Sequence, residues 1–518
     1  MALLWVLAFV AVLLAVVLWD LWSFRRVPPG PKGLPVIGLL PSQMKMAPLH
    51  LTYSELCRKY GGMVSLKMGN TLTVVVGSKS SLRDVLFSKG AAFAHRPYRR
   101  SYAIRSKGQT GIGFCTYSFE WKERRKVLHQ TFFKGSVVND LFQERIYKSV
   151  NDLLTTLHSA ADSGEGISLH EPIRLETSNV IFSVLNGRKL APDDPEFELR
   201  KKFAELNGIL QGKFTVGDYF PQLQRFSDDD EAFQKFQELT DLEMAVHWDS
   251  IQAHRKRLEE REAAGGAKFD DEHEKDLQDI LIALQDQEKE EQGRNVLFHD
   301  DAVTVISSEV VAGGTDTQAA AMQWFIVALC NYPEIQQKLQ EEIDHVLQGA
   351  TPTGEDRKRL PYMNSVLNEV YRRWTILPLA LPHMTATDIV VDGYRIPAGT
   401  TVIANQWALN HDPEIWPEPS KFMPERFKDM TKQELDNVML SFGRGARVCP
   451  GKPLADIQIC IVLATIIQRF HITPVLEDDT TMLDEEGVPG LIFFPKPFKV
   501  QVERRKTMYP TPDLLPVH

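Results

Sequence analysis

The chain opens on an uninterrupted apolar run, ALLWVLAFVAVLLAVVLW (2–19), with no charge in it. As a helix rising about 1.5 Å per residue it reaches roughly 27 Å, the depth of one bilayer core. Arg25 and Arg26 follow, and basic residues stay on the cytoplasmic side. No positive segment precedes the run and no small-x-small cleavage site follows it, which favours a retained anchor over a cleaved signal peptide. The pattern predicts a single-pass transmembrane anchor over 2–22. Prolines crowd the next stretch, VPPGPKGLPVIG (27–38), and restrict it to extended conformations. Residues 25–40 read as a basic, proline-rich hinge, and 41–518 as one cytosolic domain.

Within that domain, apolar and polar residues alternate over 61–78 around a Gly-Asn turn, which predicts a β-hairpin. Short strands with turns are expected again over 387–405. Most of 120–350 reads as helix. The stretch 301–330 is apolar almost all round and predicts one long central helix, with Asn331 and Pro333 marking the start of the next. PLADIQICIVLATIIQRF (453–470) reads as another buried helix. No repeat or second composition break divides the chain. The expected fold is mainly α with small β-sheets (α+β), a single domain behind one N-terminal transmembrane helix.

Composition narrows the function classes. With 518 residues, 43% hydrophobic and 25% charged, the chain can bury a large core and is not disordered. A net charge of -9 gives no global basic signal for nucleic acid. The five cysteines, Cys57, Cys115, Cys330, Cys449 and Cys460, are odd in number and scattered, with no CxxC pair. They form no disulfide framework and suit a reducing compartment.

Candidate chemistry centres on FGRGARVCPG (442–451). Cys449 precedes a helix and sits near Arg444 and Arg447, conditions that favour thiolate over thiol. Such a thiolate serves as a nucleophile, a redox sensor or a metal ligand. Zinc is disfavoured, because the loop offers one ligand where a structural site takes four; an axial haem ligand needs only one. In AGGTDT (312–317), two glycines and polar side chains interrupt the apolar helix. They read either as a packing notch or as a widened turn carrying an acid–alcohol pair. EVYR (369–372) fits ExxR, but so do Glu55/Arg58, Glu171/Arg174 and Glu291/Arg294, and a helical i,i+3 pair is the default reading. WKERR (121–125) puts Trp121 and Arg125 on one helix face.

FGxGxRxCPG resembles, residue for residue, the haem-binding loop of the cytochrome P450 (haem-thiolate) monooxygenases, and the other motifs follow in that family's order. The resemblance spans essentially the whole chain. It implies haem b (iron protoporphyrin IX) with Cys449 as iron ligand, Phe442 shielding the sulfur and Arg447 on a propionate. Asp316 and Thr317 would relay protons to bound O2. Trp121, Arg125 and His383, with Arg96 a weaker candidate, would face the propionates. Glu369, Arg372 and Arg426 of FMPERF would form a buried structural network. No flavin or dinucleotide fingerprint is visible, so the resemblance implies NADPH–cytochrome P450 reductase as electron donor, docking on Lys122, Arg124, Lys126, Arg444 and Lys452. The implied substrate is a lipophilic small molecule and the implied location the endoplasmic reticulum membrane. The texture is most similar to fungal microsomal enzymes, including the O-methylsterigmatocystin oxidoreductase-like group, which implies secondary-metabolite biosynthesis. A haem-thiolate isomerase or dehydratase, or a membrane-tethered haem-binding module, are the alternatives; an intact Asp316-Thr317 pair argues against both.

Overall fold

The computed structural model describes residues 26–31, 48–69, 71–133, 135–212, 231–266, 276–294, 297–476 and 480–517, with isolated positions before 40. The expected anchor over 2–22 lies for the most part outside the described residues. Leu4, Trp5, Leu7, Val10 and Leu14 are exposed. Among the described residues no helix is long and apolar enough to cross a membrane. The proline-rich segment lies against the domain: Ser65 donates its N–H to the Pro29 carbonyl (3.0 Å) and its hydroxyl to that of Pro28 (2.6 Å).

Helix α1 (Leu49–Tyr60) leads into strands β1 (Met63–Met68) and β2 (Thr71–Val76), the hairpin that alternation predicts, with Met63 opposite Val76. A helical series follows: α2 (Arg100–Ser106), α3 (Phe119–Phe133), α4 (Gly135–Ser163), α5 (His170–Asn186), α6 (Pro195–Gly212), α7 (Glu231–Ala263) and α8 (Leu277–Gln292). Asp276 caps α8 by accepting the Asp279 N–H at 2.9 Å. Next come α9 (Asp300–Gly314), α10 (Asp316–Asn331), α11 (Pro333–Leu347) and α12 (Pro361–Arg373). Asn331 closes α10 rather than capping α11, whose N-cap is Tyr332.

Strands β3 (His383–Met384), β4 (Ile389–Val391), β5 (Tyr394–Ile396) and β6 (Thr401–Ala404) then return to the hairpin. β6 lies parallel to β2, with Val74 opposite Val402, and β3 pairs antiparallel to β6, with His383 opposite Val402. The order β1-β2-β6-β3 therefore carries His383 to one sheet edge. β4 pairs with β5 alone. The chain ends with α13 (Gln406–Asn410), α14 (Lys432–Val438), α15 (Lys452–Arg469) and the hairpin β7 (Phe470–Val475) and β8 (Lys499–Arg504).

The core forms where α10 meets α12 and α15. Every residue of α10 from Gln318 to Cys330 is buried. Trp324 stacks on Trp374 with ring centroids 4.6 Å apart, and its indole N–H reaches the Phe493 carbonyl at 2.8 Å. The central helix expected over 301–330 is two helices that meet at Thr315 (φ -88, ψ -71). Glycine is a poor helix former, and nearby side chains compete for the ladder. Thr315 Oγ1 donates to the Val311 carbonyl (2.9 Å), Thr317 Oγ1 to Gly313 (2.8 Å) and Gln318 Nε2 to Gly314 (2.8 Å).

Candidate active site

The 442–451 loop is closed by the Cys449 N–H on the Phe442 carbonyl at 2.8 Å. Gly443 and Gly445 lie in the left-handed region at φ 67 and 66, and a side chain at Gly445 would strike the Leu86 carbonyl. These two glycines serve the loop's own turns and packing. Phe442 stands edge-on to Tyr371, centroids 5.5 Å apart, with the Lys452 ammonium 5.1 Å from its ring.

Cys449 is half-buried. Burial pushes its thiol up from the ordinary value, against the Gly451 and Lys452 N–H groups and the Arg125 guanidinium, which act the other way. The cation beside the sulfur is thus Arg125, not the expected pair. Arg444 is turned to Asp436 at 3.0 Å, and Arg447 donates to the carbonyls of Ala94 (2.7 Å), Ile112 (3.0 Å) and Cys115 (2.6 Å). A coordinated metal deprotonates a thiol outright, so the upward push does not bar ligation.

Arg447 belongs to a cluster of cations. Its guanidinium lies 4.2 Å from the centroid of Trp121, whose indole N–H donates to the Ile112 carbonyl at 2.8 Å. Arg125 packs 5.4 Å from the same ring and donates to the Val448 carbonyl. Arg96 donates to the carbonyls of Gly113 (3.0 Å), Leu381 (2.9 Å) and Pro382 (2.7 Å). Among the described residues none of the three arginines has a carboxylate in ion-pair range. Burial, with the neighbouring arginines adding to it, lowers Arg447 to about 9 and Arg96 to about 10. His383 adds no fourth cation: burial and then Arg96 drop it to about 3, and its Nδ1 meets the Phe93 carbonyl at 2.9 Å. That contact leaves Nε2 as an acceptor.

The central helices face this cluster through residues 111–115. Ile112 accepts from Arg447 and Trp121 through its carbonyl, and donates its N–H to Glu309 of α9 at 2.5 Å. One turn beyond Glu309, Gly313 is exposed although no other residue of α9 past Asp301 is, and a Cβ there would meet nothing within 4 Å. At Gly314 a Cβ would stand 2.5 Å from Ile181 Cδ1. The notch is therefore open space on one side and tight packing on the other. Asp316 and Thr317 are both half-buried there, but no hydrogen bond joins them. Asp316 Oδ1 accepts two bonds from Arg174 of α5, at 3.0 and 3.2 Å.

Arg96, buried, and Arg125 and Arg447, half-buried, bond only to neutral carbonyls and have no ion-pair partner among the described residues, and that shortfall suits haem b, whose two propionates carry the opposite charge. The single half-buried thiol and the open flank at Gly313 suit the same flat group. Reading the sequence missed Glu309, whose signal was a lone acid inside an apolar helix. It also set aside Arg174 as one member of a local pair with Glu171; that contact exists at 3.8 Å, but Asp316 is nearer. Glu369, Arg372 and Arg426 do meet: Arg372 grips Glu369 at 2.6 and 2.9 Å, and Arg426 Nε reaches it at 3.4 Å. Arg124 does not belong to a docking patch, because it is buried and donates to the Leu297 carbonyl at 2.8 Å.

Comparison with known proteins agrees with the chemistry. A model of the Cytochrome P450 family matches residues 28–502. The steroid 17-alpha-hydroxylase/17,20 lyase of Rattus norvegicus is 30% identical over 516 residues, 96% of this chain and 97% of that protein. Cytochrome P450 1A1 of Chelon saliens is 29% identical, over 89% of this chain and 88% of its own. A zebra fish cytochrome P450 solved with progesterone superposes with a TM-score of 0.74 at 26% identity, over 88% of this chain and 100% of that one. A site short of anionic charge and a match across nearly the whole length lead to one conclusion: the chain belongs to the cytochrome P450 family, and it is a monooxygenase whose cofactor is haem b.

Proposed function

We propose that this protein hydroxylates a lipophilic small molecule held beside Gly313, with Cys449 ligating the haem iron from the 442–451 side. When bound, the haem supplies O2 activation. Arg125 and Arg447, with Trp121 packed between them, hold the propionates; Phe442 keeps water from the sulfur; His383 accepts a hydrogen bond on the same side. Thr317 and Asp316 move the proton, for which Asp316 must leave Arg174. The observation that carries this reading is the cluster of buried Arg96 with half-buried Arg125 and Arg447, none with a carboxylate partner among the described residues and Arg125 beside Cys449.

Electrons come from an NADPH–cytochrome P450 reductase, and the 2–22 run anchors the chain in the endoplasmic reticulum membrane with its domain in the cytosol. Steroids are the first substrate class to try, because relatives of this length carry steroid hydroxylase names. The fungal O-methylsterigmatocystin-like reading and its secondary-metabolite role draw no support from those relatives and form the second class. The test is the absorption spectrum of the reduced, carbon monoxide-bound protein, followed by NADPH consumption with reductase and product analysis on progesterone and on a polyketide panel. A thiolate-type Soret band lost in Cys449→Ser is expected, together with oxygen-dependent hydroxylated product. A thiolate band without oxygen-dependent product from any substrate favours an isomerase, a dehydratase or a haem-binding module.

A further inference from the structure

Glu309 is the only charged side chain of α9 beyond its first turn, and it faces residues 111–114. Its Oε2 accepts the N–H groups of Ile112 (2.5 Å) and Gly113 (3.0 Å), and its Oε1 that of Phe114 (3.4 Å). Gly111 makes room for it, since a Cβ there would stand 2.5 to 2.6 Å from the carboxylate atoms. The other edge of the same strip points the opposite way. The Ile112 carbonyl takes Arg447 and Trp121, that of Gly113 takes Arg96, and that of Cys115 takes Arg447 again. Two peptide units, Ile112–Gly113 and Gly113–Phe114, are thus polarised by a carboxylate at the N–H and a cation at the carbonyl, an arrangement in which the bonds strengthen one another. Glu309 also acts electrostatically on Arg96 and Arg447 without forming an ion pair with either, while burial pushes its own carboxyl up from the ordinary value.

We propose that Glu309 is a positioning residue for the haem, acting through residues 112–115 on Arg447, which holds a propionate, and on its neighbour Arg96. This rests on the haem-thiolate reading above. A carboxylate on the central helix then sets how tightly the cofactor is held on the far side of the strip. A mere tether for the loop would need the hydrogen bonds but not the charge. Glu309→Gln keeps the length and one acceptor oxygen while removing the charge, so the two roles separate.

The experiment uses the full-length holoprotein and reads the rate of haem release to an apoglobin acceptor and the reduction potential of the iron, neither of which depends on turnover. Glu309→Gln is expected to keep the thiolate-type Soret band, release haem roughly tenfold faster, and move the potential to a more positive value, since an anion has left the arginine cluster. Gly111→Ala, which pushes on the carboxylate without changing charge, is expected to speed release as well. The double variant Gly111→Ala with Glu309→Asp is expected to recover most of the loss, because the shorter side chain withdraws from the new Cβ. Wild-type release and potential in Glu309→Gln overturn the proposal. So does a Gly111→Ala defect that Glu309→Asp fails to relieve. A wild-type protein without a thiolate band would instead overturn the functional reading, which keeps the two failures apart.

Discussion

Arg174 donates both Nε and one terminal nitrogen to a single oxygen of Asp316, joining α5 to the first turn of α10. The carboxylate expected to serve the proton relay is therefore held by a guanidinium and not by its alcohol neighbour, Thr317, whose hydroxyl is bonded to Gly313. Asp316→Asn is expected to lower product formed per NADPH by about 100-fold, within the usual range for one positioned proton donor, with substrate affinity nearly unchanged. Arg174→Lys, which keeps the charge, should stay within a few-fold of wild type. Equal losses in the two variants would remove Asp316 from the relay.

Gly313 and Gly314 are adjacent and alike in sequence but unlike in surroundings. Gly313→Ala should raise thermal stability, by up to about 1 kcal/mol of helix propensity, while the new methyl narrows the open flank and weakens the substrate-induced spectral shift. Gly314→Ala should do the reverse, costing about 1–3 kcal/mol by overpacking against Ile181. Adding Ile181→Val to Gly314→Ala should return part of that loss in a denaturant titration.

Glu176 of α5 is buried and accepts from Gln458 Nε2 at 3.2 Å on both oxygens. Burial raises its pKa from 4.5 to about 8. A folded-state value above the unfolded one means that its contribution is whole below pH 4.5 and is lost as pH climbs towards 8. Glu176→Gln should therefore flatten the fall in stability across that window and exceed wild type at pH 8 by on the order of 4 kcal/mol. Denaturation midpoints at several pH values check this; parallel curves for the two proteins would contradict it.

Glu369 and Arg372 are both fully buried, and Glu369 also receives the Met423 N–H at 2.7 Å. Truncating either residue to alanine strands its partner in the core, at a cost of about 3–5 kcal/mol. Loss of soluble folded protein at growth temperature is expected for both. Arg426→Ala is expected to be milder, because its bond to Glu369 is long and its other acceptors are exposed carbonyls.

What could be read from the sequence was whatever a local pattern records. The β1–β2 hairpin shows as alternation, and the Cys449 loop as an unusual string of residues. AGGTDT (312–317) showed as a notch or widened turn in one long helix, but that the helix divides at Thr315 depends on the side-chain bonds to Val311, Gly313 and Gly314. Arg174 looked like half of an i,i+3 pair because its main partner lies 142 residues away. His383 was expected to face a propionate, and burial beside Arg96 and Arg447 makes it neutral. Long-range partners and desolvation leave no local signature, and those two decide the charges in the site.

The bond between Arg447 and Ala94 spans 353 residues, and that between Arg125 and Val448 spans 323. A ribosome exposes the first half of this pocket long before it makes the second. Closing so long a loop carries an entropy cost that only the finished contacts repay. Helices such as α4 and α5 can pack on each other while synthesis continues, but the cofactor cavity cannot. Haem capture accordingly waits for the last part of the chain, and a product terminated before Phe442 would hold most of the helices and the first half of the pocket but neither Arg447 nor Cys449.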